Sequence, residues 1–188
     1  MKRAVFLDRD GVLNEERGFV TTVEDFVLRP GLPEALAELA RHDFVRVVVT
    51  NQSGVGRGLI PMATLEVMHL RLRAETRGID ALYFCPHHPE ATLTSFRTTC
   101  TCRKPGSGML LRAARDLDLD LEQSWIVGDA PRDIIAGARV GCRTICVTGP
   151  KMPDEQHWPA DVTRPLAFVD DLGAAVAHIV ACDCGRTV

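Results

Sequence analysis

A chain of 188 residues with 46% hydrophobic and 25% charged side chains can bury one good core and is too apolar to stay disordered. A net charge of −3 leaves no basic stripe for a nucleic acid, and no apolar run approaches the length of a membrane span. The apolar run after Lys2 and Arg3 is too short for a signal peptide, so a cytoplasmic location is expected, where the seven cysteines stay reduced.

Ala4 to Leu7 is a short apolar run read as a buried strand, and it ends in Asp8-Arg9-Asp10-Gly11. In extended chain residues i and i+2 share a side, so Asp8 and Asp10 can face one pocket, and Gly11 lets the backbone turn away. Paired carboxylates repel each other, and a hard divalent cation such as Mg²⁺ is the simplest relief. Taken alone, the motif reads more readily as a polar strand end capped by a turn.

Glu15 to Val27 reads as a loop or small hairpin. Pro30-Gly31 opens a helix with Leu32, Leu36, Leu39 and Ala40 on one face. Val45 to Val49 is a second buried strand, followed by the polar, glycine-rich loop Thr50 to Gly58. Pro61 starts a helix through Met62, Leu65, Met68 and Leu72, and Ile79 to Phe84 is a third strand. Residues 85–102 form a cysteine- and histidine-bearing loop. Arg103-Lys104-Pro105-Gly106 follows it, and Ser107 is placed to cap a helix through Leu117. Trp125 to Val127 is a fourth strand ending in Gly128-Asp129, a helix runs from about Ile134 to Val140, and Arg143 to Val147 is a fifth strand. Thr148 to Pro165 is an irregular loop in which His157 and Trp158 are anchor or lip candidates. Phe168 sits in a short sixth strand, and Leu172 to Ala181 is a closing helix.

This alternation predicts an α/β fold, a Rossmann-like parallel sheet with helices on both faces, as a single domain over 1–188. Ligands bind such sheets at the carboxyl ends of the strands, and the polar clusters fall there: Asp8 and Asp10, Thr50, and Asp129. Lys104 follows the third strand beyond the cysteine loop. As a parts list, Asp8 is a nucleophile or metal ligand, Asp10 a proton carrier, Thr50 a hydroxyl donor and Lys104 a fixed cation. Asp133 can brace the metal shell or a loop. A metal ion and a lysine around one point suit a transferring phosphoryl group, which a carboxylate can take covalently.

Cys85-Pro86-His87 and Cys100-Thr101-Cys102 offer three sulfurs and an imidazole, a tetrahedral Zn²⁺ set with no position left open, hence structural. The loop has little apolar content, so the metal would supply its folding energy and fix the approach of Arg103 and Lys104. His88 is a rival to His87 on spacing. Cys142 and Cys146 read as core, and Cys182 with Cys184 as a weaker candidate for a second metal site.

Asp8-Arg9-Asp10-Gly11, Thr50-Asn51-Gln52, Arg103-Lys104-Pro105 and Gly128-Asp129-x-x-x-Asp133 resemble the four motifs of the haloacid dehalogenase superfamily of phosphatases. The resemblance implies Asp8 as nucleophile and Asp10 as general acid/base. It implies Thr50 and Lys104 as phosphate binders, with Asn51 counted among the substrate-side residues. Asp8, the Asp10 backbone carbonyl and Asp129 would be the Mg²⁺ ligands, and Asp133 would be supporting. Cys-Pro-His-His-Pro followed by Cys-x-Cys-Arg-Lys-Pro is similar to the D-glycero-D-manno-heptose 1,7-bisphosphate 7-phosphatase family, which selects His87 over His88. That resemblance implies a capless, zinc-stabilised enzyme acting on a small sugar bisphosphate; the charge balance and the short apolar runs argue against a nucleic acid or membrane partner, and a monomer is expected. Histidinol phosphate is the alternative substrate, and a DNA 3′-phosphatase or a catalytically dead binding module rank lower. Arg57 and Arg103 are the candidates for the distal phosphate, since guanidinium groups bind phosphate bidentately. One departure stands out: Ala130 occupies a position where these enzymes commonly carry lysine, and Arg132 is the nearby cation that can partly replace it.

Overall fold

The computed structural model of the chain describes residues 1–152 and 155–184; the side chains of His157 and Cys184, both considered above, lie outside the described ones. Strict alternation along the apolar runs decides which layer each side chain enters. In β1 (Arg3–Leu7), Ala4 and Phe6 join one core cluster while Val5 and Leu7 join the other. In β2 (Phe44–Asn51), Val47 and Val49 part from Val48 in the same way. Strands that are apolar on both faces require cover on both, and that selects a parallel sheet. With β3 (Ala81–Cys85), β4 (Trp125–Gly128), β5 (Arg143–Val147) and β6 (Ala167–Val169), the strands pair in parallel in the order β3-β2-β1-β4-β5-β6.

One face carries α1 (Leu32–Arg41), α3 (Met62–Thr76) and α6 (Leu172–Cys184), whose Leu36, Leu39, Met68, Leu72, Leu172 and Ile179 share a core cluster with Val5, Leu7 and Val127. The other carries α4 (Gly108–Leu117) and α5 (Pro131–Ala138), which bury Met109, Leu110 and Ala136 against Phe6 and Ile126. A four-residue helix, α2 (Ser53–Gly56), interrupts the glycine-rich loop after β2. No large cap domain stands over the sheet among the described residues, and no helix among them is long and apolar enough to cross a membrane.

Two local readings change. The α5 helix begins at Pro131, not near Ile134, because proline suits a first helical turn and Asp133 Oδ2 accepts from the Ala130 amide at 3.1 Å. Ser107 does precede α4, but its hydroxyl donates to the Ala136 carbonyl at 2.8 Å and ties α4 to α5 instead of capping. Cys142 and Cys146 are core residues, as expected. Trp158 is an anchor: it meets the Phe168 ring edge-on at 5.5 Å and donates to the Val162 carbonyl.

The strand order places the site. From β1 the chain steps outward to β2 and β3, then returns to lay β4 on the other side of β1. A crevice opens where the order reverses, at the carboxyl ends of β1 and β4. Asp8 and Asp129 are the first residues past the carboxyl-terminal tips of those two strands.

Candidate active site

Asp8 leaves β1 with its amide donating to the Val127 carbonyl at 2.9 Å, so the sheet ladder itself fixes its backbone. Its Oδ1 lies 2.9 Å from Lys104 Nζ. That ammonium is fully buried and also meets Asp133 Oδ1 and the Val49 carbonyl, each at 2.7 Å. Burial alone would raise the Asp8 carboxyl; Lys104, with Arg132 and Lys151 behind it, outweighs that and holds it below the usual carboxylate range. Burial likewise works against the Lys104 charge, and Asp133 and Asp8 reverse it, so the lysine stays protonated.

Lys104 reaches Asp8 because Asn51, at the end of β2, clamps its backbone: Asn51 Nδ2 donates to the Lys104 carbonyl and Oδ1 accepts from its amide, both at 3.0 Å. The Asn51 amide is thus spent on positioning the lysine. Thr50 is buried beside it and accepts from Gln52 Nε2 at 2.8 Å, which leaves the hydroxyl proton to donate. Asp10 accepts from Arg9, from Asn14 Nδ2 at 3.0 Å and from Gln52 Nε2 at 2.7 Å, and it lines the crevice.

Two glycines make the carboxylate cluster possible. A side chain at Gly11 would put its Cβ 2.0 Å from Asp129 Oδ2, and φ there is +95°. A Cβ on Gly128 would lie 2.2 Å from that of Asp133. With both absent, one oxygen each of Asp8, Asp129 and Asp133 come within 4.8 Å of one another. Burial first, then repulsion from Asp8, pushes Asp129 up to about 7. Its Oδ1 is buried with no hydrogen-bond partner among the described residues. Lys151 Nζ lies 2.9 Å from Asp129 Oδ2 and 3.4 Å from the Asp10 carbonyl, and it pairs with Glu16. A tethered cation therefore sits on two of the oxygens expected to ligate magnesium. Hard oxygen donors with surplus negative charge fit Mg²⁺.

Arg103, Arg132 and Lys151 line the same crevice, with half-exposed Phe19 on its rim. Arg132 Nη2 is 3.7 Å from Asp129 Oδ1, which puts a cation two residues beyond Ala130 and close to the carboxylate cluster. Arg57 is not among the lining residues. The short α2 turns the chain so that Gly56 packs on the Pro86 carbonyl and Arg57 Nη2 faces His88 Nε2 at 3.1 Å. Glu16 and Lys151 were not singled out from the sequence, and Asn14 and Gln52, though inside the motifs, had no role assigned. Lys151 follows β5 closely, and its position beyond a strand's carboxyl end was the available signal.

At the carboxyl end of β3, Cys85, His87, Cys100 and Cys102 converge. The Cys102 sulfur is 3.1 Å from those of Cys85 and Cys100 and 3.5 Å from His87 Nδ1. A tetrahedron of ligands about 2.3 Å from a zinc ion has edges of about 3.8 Å, so the set needs only slight expansion. Burial pushes the Cys85 thiol up, a burden that a bound cation removes. The cluster is a Cys₃His metal-binding set consistent with structural zinc. His87 supplies the imidazole, and its carbonyl accepts from Arg103 Nη1 at 3.3 Å.

A HAD-hydrolase-like family model matches residues 101–175. The chain is 38% identical over 182 residues to the D-glycero-beta-D-manno-heptose-1,7-bisphosphate 7-phosphatase of Photorhabdus laumondii, covering 94% of this chain and 96% of that one. The Escherichia coli K12 enzyme of the same name is 40% identical over 164 residues, 84% of this chain and 86% of that one. The chain belongs to this phosphatase family. A crystal structure of the family's D,D-heptose 1,7-bisphosphate phosphatase from B. bronchiseptica, complexed with magnesium and phosphate, superposes with a TM-score of 0.82 at 34% identity, covering 95% of this chain and 98% of that one. As a member of the heptose-bisphosphate phosphatase family, the protein is an enzyme, a phosphoric monoester hydrolase of the haloacid dehalogenase superfamily.

Proposed function

We propose that the protein removes the 7-phosphate of D-glycero-β-D-manno-heptose 1,7-bisphosphate, with Asp8 as nucleophile and Asp10 as general acid/base. The observation that carries this reading is the Lys104 ammonium held 2.9 Å from Asp8 in the crevice that Asp129 completes. In the first step an Asp8 oxygen bonds to phosphorus as the bond from phosphorus to the sugar O7 breaks, and Asp10 gives its proton to O7. In the second, a water oxygen bonds to phosphorus while Asp10 takes the water proton. The bond to Asp8 opens, inorganic phosphate leaves, and the carboxylate is restored.

Lys104 and the Thr50 hydroxyl would hold the equatorial oxygens of the transferring group. Magnesium, held by Asp8, the Asp10 carbonyl and Asp129, supplies neutralising charge when bound. Asp133 keeps Lys104 in place. Arg103, with Arg132, would grip the distal phosphate, and Arg57 would act only on the loop. The relatives' names support the bisphosphate substrate and its β anomer. The test is phosphate release from both anomers and from histidinol phosphate. The β-bisphosphate should show the highest kcat/KM and lose a single phosphate; faster turnover of histidinol phosphate would overturn the assignment.

A further inference from the structure

Arg9 stands directly after the nucleophile candidate, yet its side chain is 1% exposed. A guanidinium never gives up its charge in a protein, so each of its donors needs an acceptor when water is excluded. Two sets of donors have an evident one: Nε meets Asp10 Oδ1 at 3.1 Å, and Nη2 meets Asp10 Oδ1 at 2.8 Å and Oδ2 at 3.1 Å. The Phe26 ring covers the guanidinium face at 5.1 Å. The remaining nitrogen, Nη1, lies 3.3 Å from Nε2 of His69.

His69 sits in α3 among the buried residues Leu65, Met68 and Leu72, where another apolar side chain would satisfy the helix. Its ring packs on Phe84 at 5.5 Å. Because arginine can only donate, Nε2 must accept, which places the imidazole proton on Nδ1. Burial, and then the charge of Arg9, push His69 down to about 3, so the ring stays neutral at any working pH. Its position thus keeps a polar acceptor aimed at a single partner.

We propose that His69 is a positioning residue for the reaction, locking the Arg9 fork that in turn sets the angle of the Asp10 carboxylate. The proposal rests on the reading of Asp10 as the acid that protonates the leaving oxygen. Without His69, Nη1 has no acceptor on that side and the guanidinium turns toward one, carrying Asp10 off its line to the leaving oxygen. Misplacement of a reacting group by about 1 Å costs up to about a hundredfold in rate.

The discriminating readout is leaving-group dependence. An alkyl leaving oxygen needs a proton in the first step, whereas 4-nitrophenolate departs without one, and kcat/KM reports that first step. In H69L, kcat/KM on the sugar bisphosphate should fall by about tenfold while that on 4-nitrophenyl phosphate stays within about twofold. H69Q, whose amide oxygen can accept from Nη1, should recover most of the loss. Equal losses on both substrates, or no loss on either, would overturn the proposal, as would an H69Q variant no better than H69L. D10N, run alongside, should show the same selective loss more deeply, by about a hundredfold or more. A D10N enzyme impaired equally on both substrates would instead remove the acid assignment itself, independently of His69.

Discussion

Replacing Lys104 with methionine keeps the length of the side chain and deletes its charge. In the folded protein that charge is fully enclosed and bonds to Asp8, Asp133 and the Val49 carbonyl. Removing one partner of a buried ion pair costs about 3–5 kcal/mol, because the other charge is stranded. Here two carboxylates are stranded, against a total stability of about 5–15 kcal/mol for a domain of this kind. The destabilisation should depend on pH in a definite sense. The folded pKa of Lys104 is raised, so its contribution is complete below the unfolded value and is lost only as pH climbs through the folded one. The folded pKa of Asp8 is depressed, so its share is present above the unfolded value and is lost as pH falls through the folded one. The gap between parent and K104M should therefore be widest between about pH 4 and pH 10 and narrow below that range. Urea unfolding at neutral and acid pH measures the gap, and phosphate release at neutral pH should fall by three orders of magnitude or so. A K104M protein as stable as its parent at pH 7 would refute the assignment of Lys104 as the charge that holds the carboxylate cluster together.

Substituting Gly11 with alanine should destabilise the fold by about 1–3 kcal/mol through its positive φ and should weaken magnesium binding, because the new methyl collides with Asp129; calorimetric titration with magnesium checks the second effect. Stripping zinc should lower the melting temperature and loosen Arg103, read as faster amide exchange over residues 100–106; an unchanged melt with zinc demonstrably gone would contradict the clamp. R103A should raise KM for the bisphosphate several-fold with kcat nearly unchanged, whereas R57A should alter neither beyond about twofold, since of these two arginines Arg103 lines the crevice and Arg57 does not.

Much of this was legible because the decisive signals are local. Short apolar runs leading into Asp8, Thr50 and Asp129 mark strand tips, and a parallel sheet brings such tips to one rim whatever the details of packing. The Cys₃His cluster was legible from spacing, with the choice of His87 over His88 supplied by family resemblance. The roles of Asn51 and Arg57 were not legible, because each depends on a contact across the chain: Asn51 with the Lys104 backbone, Arg57 with His88. Ser107 carries a good capping residue's chemistry and spends it on Ala136, a tertiary partner that no local rule foresees. Lys151 and Glu16 belong to different loops and pair with each other beside Asp129, which Lys151 also contacts. His69 falls at a helical spacing that an apolar residue would fill equally well, so only the buried Arg9 beside it reveals what it is for.

The proposed reaction turns on Asp8 accepting the phosphoryl group. The direct measurement is mass analysis of the peptide bearing residue 8 after acid quench during turnover of the bisphosphate. One phosphoryl group on Asp8, absent from a D8N control, is expected; phosphate released at full rate with Asp8 unmodified at every quench time would contradict it.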